Sequence, residues 1–148
     1  MSESLTMPRP DACNCLMLRQ AARVVTQHYD RHLAAVGLTA TQFWLLTRLV
    51  YKGAASINEI ARLMMADRTT VGRTLGPLER EALIEIHVDP ADRRSRLAGP
   101  TQSGRSRVEA GFQHLAAANR SFEAAYGAKR AAELRAMLAA ITPELVAG

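Results

Sequence analysis

Apolar residues recur at alternating steps of three and four through Cys15, Leu18, Ala22, Val25, Tyr29, Leu33 and Val36, while Arg19, Arg23, Gln27 and Asp30 fall elsewhere on the wheel. This spacing predicts one long amphipathic helix over residues 11–36, ended by Gly37. Thr39 and Gln42 then stand at capping-box spacing, where each side chain satisfies the other residue's free backbone N–H, and a second helix should run to about residue 52 and stop at Gly53. Ser56 and Glu59 repeat the spacing ahead of Ile57, Ile60, Ala61 and Met64, a short helix with one apolar face. Asp67 caps a fourth helix whose expected buried face reads Val71, Leu75, Leu78 and Ala82, leaving Arg68, Thr69, Gly72, Arg73 and Gly76 outside.

At Leu83 the period changes. Ile84, Ile86 and Val88 alternate with Glu85 and His87, the two-residue repeat of a half-buried strand, and Asp89-Pro90-Ala91-Asp92 reads as a turn. A short return strand is expected over residues 95–98, ended by Gly99-Pro100, before a helix capped by Thr101. That helix carries Val108, Phe112, Leu115, Phe122 and Tyr126; after Gly127 a sixth carries Leu134, Met137, Leu138, Ile141 and Leu145. Two capped helices, a hairpin and long flanking helices make a mostly α fold: a winged helix-turn-helix over residues 55–100. Residues 1–10 are expected to be a disordered tail and 11–148 a single domain. Apolar stripes on residues 11–36 and 101–146 exceed what the compact reader module can cover, so these helices are expected to form a dimer core.

Composition sharpens this picture. The 148 residues are 48% apolar but only 5% aromatic, which favours helices packed on helices, and the length suits one core. Net charge is +5, largely from arginine, whose planar fork suits phosphates and guanine edges. Between residues 93 and 107 stand Arg93, Arg94, Arg96, Arg105 and Arg107 with no acid among them. Such a run is either a solvated surface or an electrostatic footprint, and its place beside a strand-turn signal favours the footprint. No stretch reads as a targeting or membrane segment, so a cytoplasmic location is expected. Paired carboxylates, a serine-histidine couple and a phosphate-cradling glycine loop are missing from the pattern, which argues against an enzyme and gives no call for a cofactor.

A major groove about 12 Å wide admits one helix, provided its outer face is unobstructed and polar. The fourth helix qualifies: its start offers free N–H groups to a phosphate beside Arg68 and Thr69, and Arg73 is the candidate for a base edge. On the hairpin, Arg93 and Arg94 are placed to enter the neighbouring minor groove.

From about residue 13 to 145 the chain resembles the MarR family of transcription regulators, most strongly in SINEIARLMMADRTTVGRTLGPLEREALIEIHVDPADRRSRLAGPTQSG, residues 56–104. The resemblance rests on the helix-turn-helix, an Asp-x-x-Asp-x-Arg wing (Asp89, Asp92, Arg94) and a Thr-x-x-Gly helix start (Thr101, Gly104). It implies a homodimer on pseudo-palindromic double-stranded DNA, with residues 68–74 in the major groove and Arg94 in the minor groove. The full set of candidate DNA contacts is Ser56, Arg68, Thr69, Thr70, Arg73, Thr74, Arg93, Arg94 and Arg96. The chain also departs from the family. Gly76 and Pro77 predict a kink near Arg73. Ala82 replaces the usual glycine, so another turn geometry is expected there, and Gly99-Pro100 should shorten the return strand.

Within that family, hydroperoxide-sensing repressors resemble this chain through a cysteine near the start of the first helix and a tyrosine fourteen residues on, here Cys15 and Tyr29. A thiolate at a helix start is stabilised by the dipole, making Cys15 a redox candidate; the alternative is a small core hydrophobe. Two further tyrosines of those sensors are replaced by Arg19 and Ala40. His28 and His32 have metal-ligand spacing, but Tyr29 stands where a zinc hydrolase carries glutamate, so a solvated or interface pair is expected and no metal. Phe43, Trp44, Met64 and Met65 either pack the core or line a pocket for the small aromatic effector that the family often binds. Three readings therefore stand: an effector-released repressor, a thiol-based peroxide sensor, and a winged helix that binds an acidic protein.

Overall fold

In the computed structural model, which describes residues 9–147, the chain forms seven α-helices and one small sheet. The expected tail over residues 1–10 lies outside the described residues except for Arg9 and Pro10, and Pro10 opens a 3-10 turn to Ala12. The first helix, α1, spans Asn14–Leu33, shorter than expected at both ends, because Cys13 is extended and a 3-10 turn at Ala34–Val36 leads into Gly37. Gly37 sits at φ 69°, a left-handed value that favours glycine.

Helix α2 (Ala40–Lys52) starts on the complete Thr39/Gln42 capping box, and the Asp30 carboxylate of α1 accepts a further bond from the Ala40 N–H. This helix is the centre of the core: Phe43, Leu45, Leu46 and Leu49 are buried against Leu33, Ile60, Val71, Leu75, Leu78 and Val108. Each fully buried side chain of this size contributes about 1.5–3 kcal/mol.

Strand β1 (Ala55–Ser56) leads into α3 (Ile57–Met64), which the Ser56/Glu59 box caps. Met65, left-handed at φ 49°, ends α3 and starts the turn into α4 (Arg68–Arg80). Asp67 caps α4 through the Thr70 N–H. The helix runs unbroken through Gly76 and Pro77, although Pro77 has no N–H for the Arg73 carbonyl, so the expected disturbance near Arg73 does not end it.

Two expectations about the hairpin are corrected. Ala82 lies past the end of α4 and is exposed, so it is not part of the buried face; it takes φ 54°, the left-handed geometry a glycine would serve. The return strand is not cut at residue 98: β3 (Arg96–Pro100) pairs antiparallel along the whole of β2 (Ile84–Val88), from Val88 opposite Arg96 to Ile84 opposite Pro100. Bonds from Thr101 N–H to Leu83 and from Asp89 N–H to Ser95 show which pairs are hydrogen-bonded. Pro100 falls between them, where its missing N–H faces away from β2, beyond the short β1 on the other side of β3.

Thr101 joins the hairpin to α5 (Gln102–Tyr126): its hydroxyl donates to the Ala82 carbonyl and accepts from the Gly104 N–H. On α5 the helices approach more closely than the apolar pattern suggested. Gly104 and Gly111 are buried because a Cβ would run into the Leu83 carbonyl and the Phe43 ring. Phe112, expected inside, is instead 38% exposed and meets Phe43 edge to face. Gly127 separates α5 from α6 (Ala128–Ala139), and the Arg130 guanidinium lies over the Tyr126 ring across that break. The expected sixth helix is split, because Pro143 starts a separate α7 (Pro143–Val146) capped by Thr142.

Candidate nucleic-acid interface

The start of α4 and the hairpin enclose a polar cleft of about 330 Å3 lined by Ser56, Asn58, Arg68, Asp92, Arg94 and Arg96, among others. Local chemistry builds it from three capped segments. Ser56 holds its hydroxyl on the Glu59 N–H at the start of α3, and Asp67 holds the first turn of α4. At the hairpin tip, the Asp89 carboxylate accepts the Ala91 N–H and the Asp92 carboxylate accepts the Arg94 N–H, while the Asp89 N–H bonds to Ser95. Asp92 therefore shapes the tip through the backbone. No ion pair between Asp92 and an arginine occurs among the described residues.

The candidate contacts do not share one environment. Arg68 donates from Nη1 to Asn58 Oδ1 at 2.8 Å, which carries its guanidinium to the mouth of the cleft. Asn58 was missed by sequence reasoning; its only signal was a place two residues after the α3 cap. Thr69 and Arg73 are exposed on α4, and Arg93, Arg94 and Arg96 are exposed on the hairpin. Among the described residues, none of these four arginines forms a salt bridge, so their charge is available to a ligand. Thr70 and Thr74 are already engaged: Thr70 Oγ1 donates to Asp67 and Thr74 Oγ1 to the Thr70 carbonyl, and both border a hollow toward Thr41 and Leu45 of α2.

The arginine run divides once folded. Arg107 turns to the opposite end of the reader, donating to the Val36 carbonyl at 3.0 Å and facing Glu81 at 3.5 Å, and Arg105 reaches toward the Val50 carbonyl. Arg68 and Arg73 on the helix and Arg93, Arg94 and Arg96 on the wing stay exposed and form no salt bridge among the described residues.

Two cap carboxylates titrate low. Hydrogen bonds from Thr70 hold Asp67 below the usual aspartate range, and bonds from Ser56 do the same for Glu59.

Behind the reader, Val25, Tyr29, Ala40, Thr41, Trp44, Met64 and Asn119 line a largely apolar cleft of about 410 Å3 between α1, α2, α3 and α5. Phe43 is buried and Met65 exposed, and neither lines this cleft. The Tyr29 hydroxyl donates to Asn119 Oδ1 at 2.6 Å, and burial, ahead of the Glu123 charge, raises its pKa. Cys15 is exposed in the first turn of α1; fourteen residues of helix place it roughly 21 Å from Tyr29 in the same chain. His28 donates from Nε2 to the Ala118 carbonyl at 3.0 Å and its ring lies 5.0 Å from His32; no cluster able to hold a metal occurs among the described residues. No single helix among them is long and apolar enough to cross a membrane.

Known proteins resemble this arrangement. Residues 38–95 match the MarR family. The chain is 35% identical over 92 residues to the transcriptional activatory protein BadR of Rhodopseudomonas palustris, a stretch covering 60% of this chain and 52% of BadR, about half of that relative's length. The structure of a probable transcriptional regulator from Pseudomonas aeruginosa superposes with a TM-score of 0.80 at 29% identity, over 90% of this chain and 100% of the other. CouR, a transcriptional repressor bound to a 23-mer DNA duplex, superposes with a TM-score of 0.79 at 26% identity, over 92% and 96%.

Proposed function

Residues 38–95 match the MarR family of transcription regulators, and on that premise we propose that the chain is a member of it, a cytoplasmic homodimeric repressor, not an enzyme, that reads a pseudo-palindromic operator. The observation that carries this reading is the convergence of Arg68, Arg94 and Arg96 on one cleft between α4 and the wing, with Arg73 free beside it. Phosphate oxygens fit the cleft and the first turn of α4, Arg73 meets a base edge, and Arg94 enters the minor groove. CouR, found on duplex DNA, supports the docking mode.

The exposed apolar residues Met17, Leu18 and Val24 on α1 and Met137, Leu138, Ile141 and Leu145 at the other end of the chain support a second copy as their cover. A small aromatic effector fits the apolar cleft, whose walls come from the flanking helices and from Met64 of the reader. Filling it shifts α3 against α1 and α5, which changes the separation of the two reading helices and releases DNA.

Binding to the DNA flanking its own coding region, followed by fluorescence anisotropy over a salt series, tests the reading. About six phosphate contacts give a log-log slope near −5, whereas a partner-binding winged helix shows no preference among promoters. Arg73→Ala should cost about tenfold or more in affinity and relax the sequence preference, and Arg94→Ala should also weaken binding. Cys15→Ser should leave effector release unchanged; loss of peroxide-triggered release in that variant would instead establish the thiol sensor.

A further inference from the structure

Gly72 lies inside α4, between Arg68 and Arg73, where glycine is the poorest helix former after proline because it gives up the most backbone freedom on folding. In α5 such a choice has a visible cause: Gly104 and Gly111 are required by the Leu83 carbonyl and the Phe43 ring, whereas a Cβ at Gly76 of α4 would make only ordinary contact, at 3.6 Å, with the end of the Arg80 side chain. At Gly72 a Cβ would meet nothing within 4 Å, and the backbone there is helical and not left-handed. Neither packing nor geometry asks for glycine at this position. The residue is exposed and framed by exposed Arg68, Thr69 and Arg73, so what it leaves open is the space in front of the reading helix.

We propose that Gly72 is a specificity-determining residue, whose bare Cα lets α4 seat deeply enough for a thymine methyl group to lie against the helix backbone. The thymine methyl is the one apolar projection of the base pairs into the major groove, and it needs a surface without polar groups to desolvate. The proposal rests on α4 being the groove helix and names the base it reads there. A missing side chain thus acts as the recognition element, with Arg73 supplying polar contact beside it.

The test uses the full-length protein, a duplex selected by the wild type from a pool randomised over 20 base pairs, and an unrelated duplex. Gly72→Ala should raise the melting temperature, because only helix propensity changes inside the protein. It should weaken binding to the selected duplex at least tenfold and leave the unrelated duplex within about twofold. Replacing the critical thymine by deoxyuracil, which removes the methyl, should restore most of the lost affinity of Gly72→Ala. Unchanged affinity for the selected duplex, or a lower melting temperature, overturns the proposal; a loss that deoxyuracil does not restore overturns the thymine assignment. A wild type that selects no duplex overturns the groove reading of α4 itself, and the proposal with it.

Discussion

Ala82 carries a left-handed backbone at φ 54° with a Cβ that this conformation disfavours by about 1–2 kcal/mol. Ala82→Gly should therefore raise stability by about 1 kcal/mol in urea titration, the relief being partly offset by a freer unfolded chain. Gly104 presents the reverse case: Gly104→Ala drives a methyl into the Leu83 carbonyl and should cost about 2–3 kcal/mol by the same measurement. An Ala82 variant that loses stability, or a Gly104 variant that keeps it, would contradict these assignments. The chain marks both positions, Gly104 in a Thr-x-x-Gly helix start and Ala82 where the family carries glycine, but the φ at Ala82 and the carbonyl opposite Gly104 exist only after folding.

Among the elements, the two reader helices depend on charged caps. Asp67 and Glu59 are both shifted down, by hydrogen bonds from Thr70 and Ser56 respectively, so folding favours their ionised forms. Their contribution is present in full above the ordinary carboxylate range and is lost as the pH falls through the lowered values. Hydrogen-exchange protection of α3 and α4 should accordingly fall in acid relative to α5, whose Thr101 cap carries no carboxylic acid; protection that falls on raising the pH above neutrality would argue against this linkage. The wing shows the same economy of means, since Asp89 and Asp92 hold its tip by backbone N–H bonds and leave Arg93 and Arg94 free of ion pairs among the described residues. These elements were legible in the chain because caps and turns act over two to four residues. Helix ends were less so: the first helix loses both its ends, and Pro143 divides the last.

At the scale of the whole molecule, α1 buries only Leu33 and α6 only Ala131, although both carry apolar faces. A single chain leaves those faces to water; a second copy would cover them and set two reading helices about 34 Å apart. Leu138→Glu should give a monomer in sedimentation velocity and reduce operator affinity at least a hundredfold, since each half-site then binds alone. A dimer that persists with full affinity would move the interface elsewhere. The element order places α3, α4 and the hairpin between the flanking helices α1, α5 and α6.

By itself the amino-acid sequence determined the order of helices and hairpin, their N-caps and the reader's arginines, because hydrophobic periodicity and backbone capping are settled by near neighbours. Tertiary structure decided which arginines stay available, sending Arg107 to the Val36 carbonyl and Glu81 while leaving Arg73 and Arg94 outside. It also decided that β3 continues to Pro100 and that Gly104 and Gly111 admit no side chain. These outcomes depend on segments brought together from 15 or more residues away, where a carbonyl, a ring or a neighbouring strand supplies a constraint that no local pattern contains.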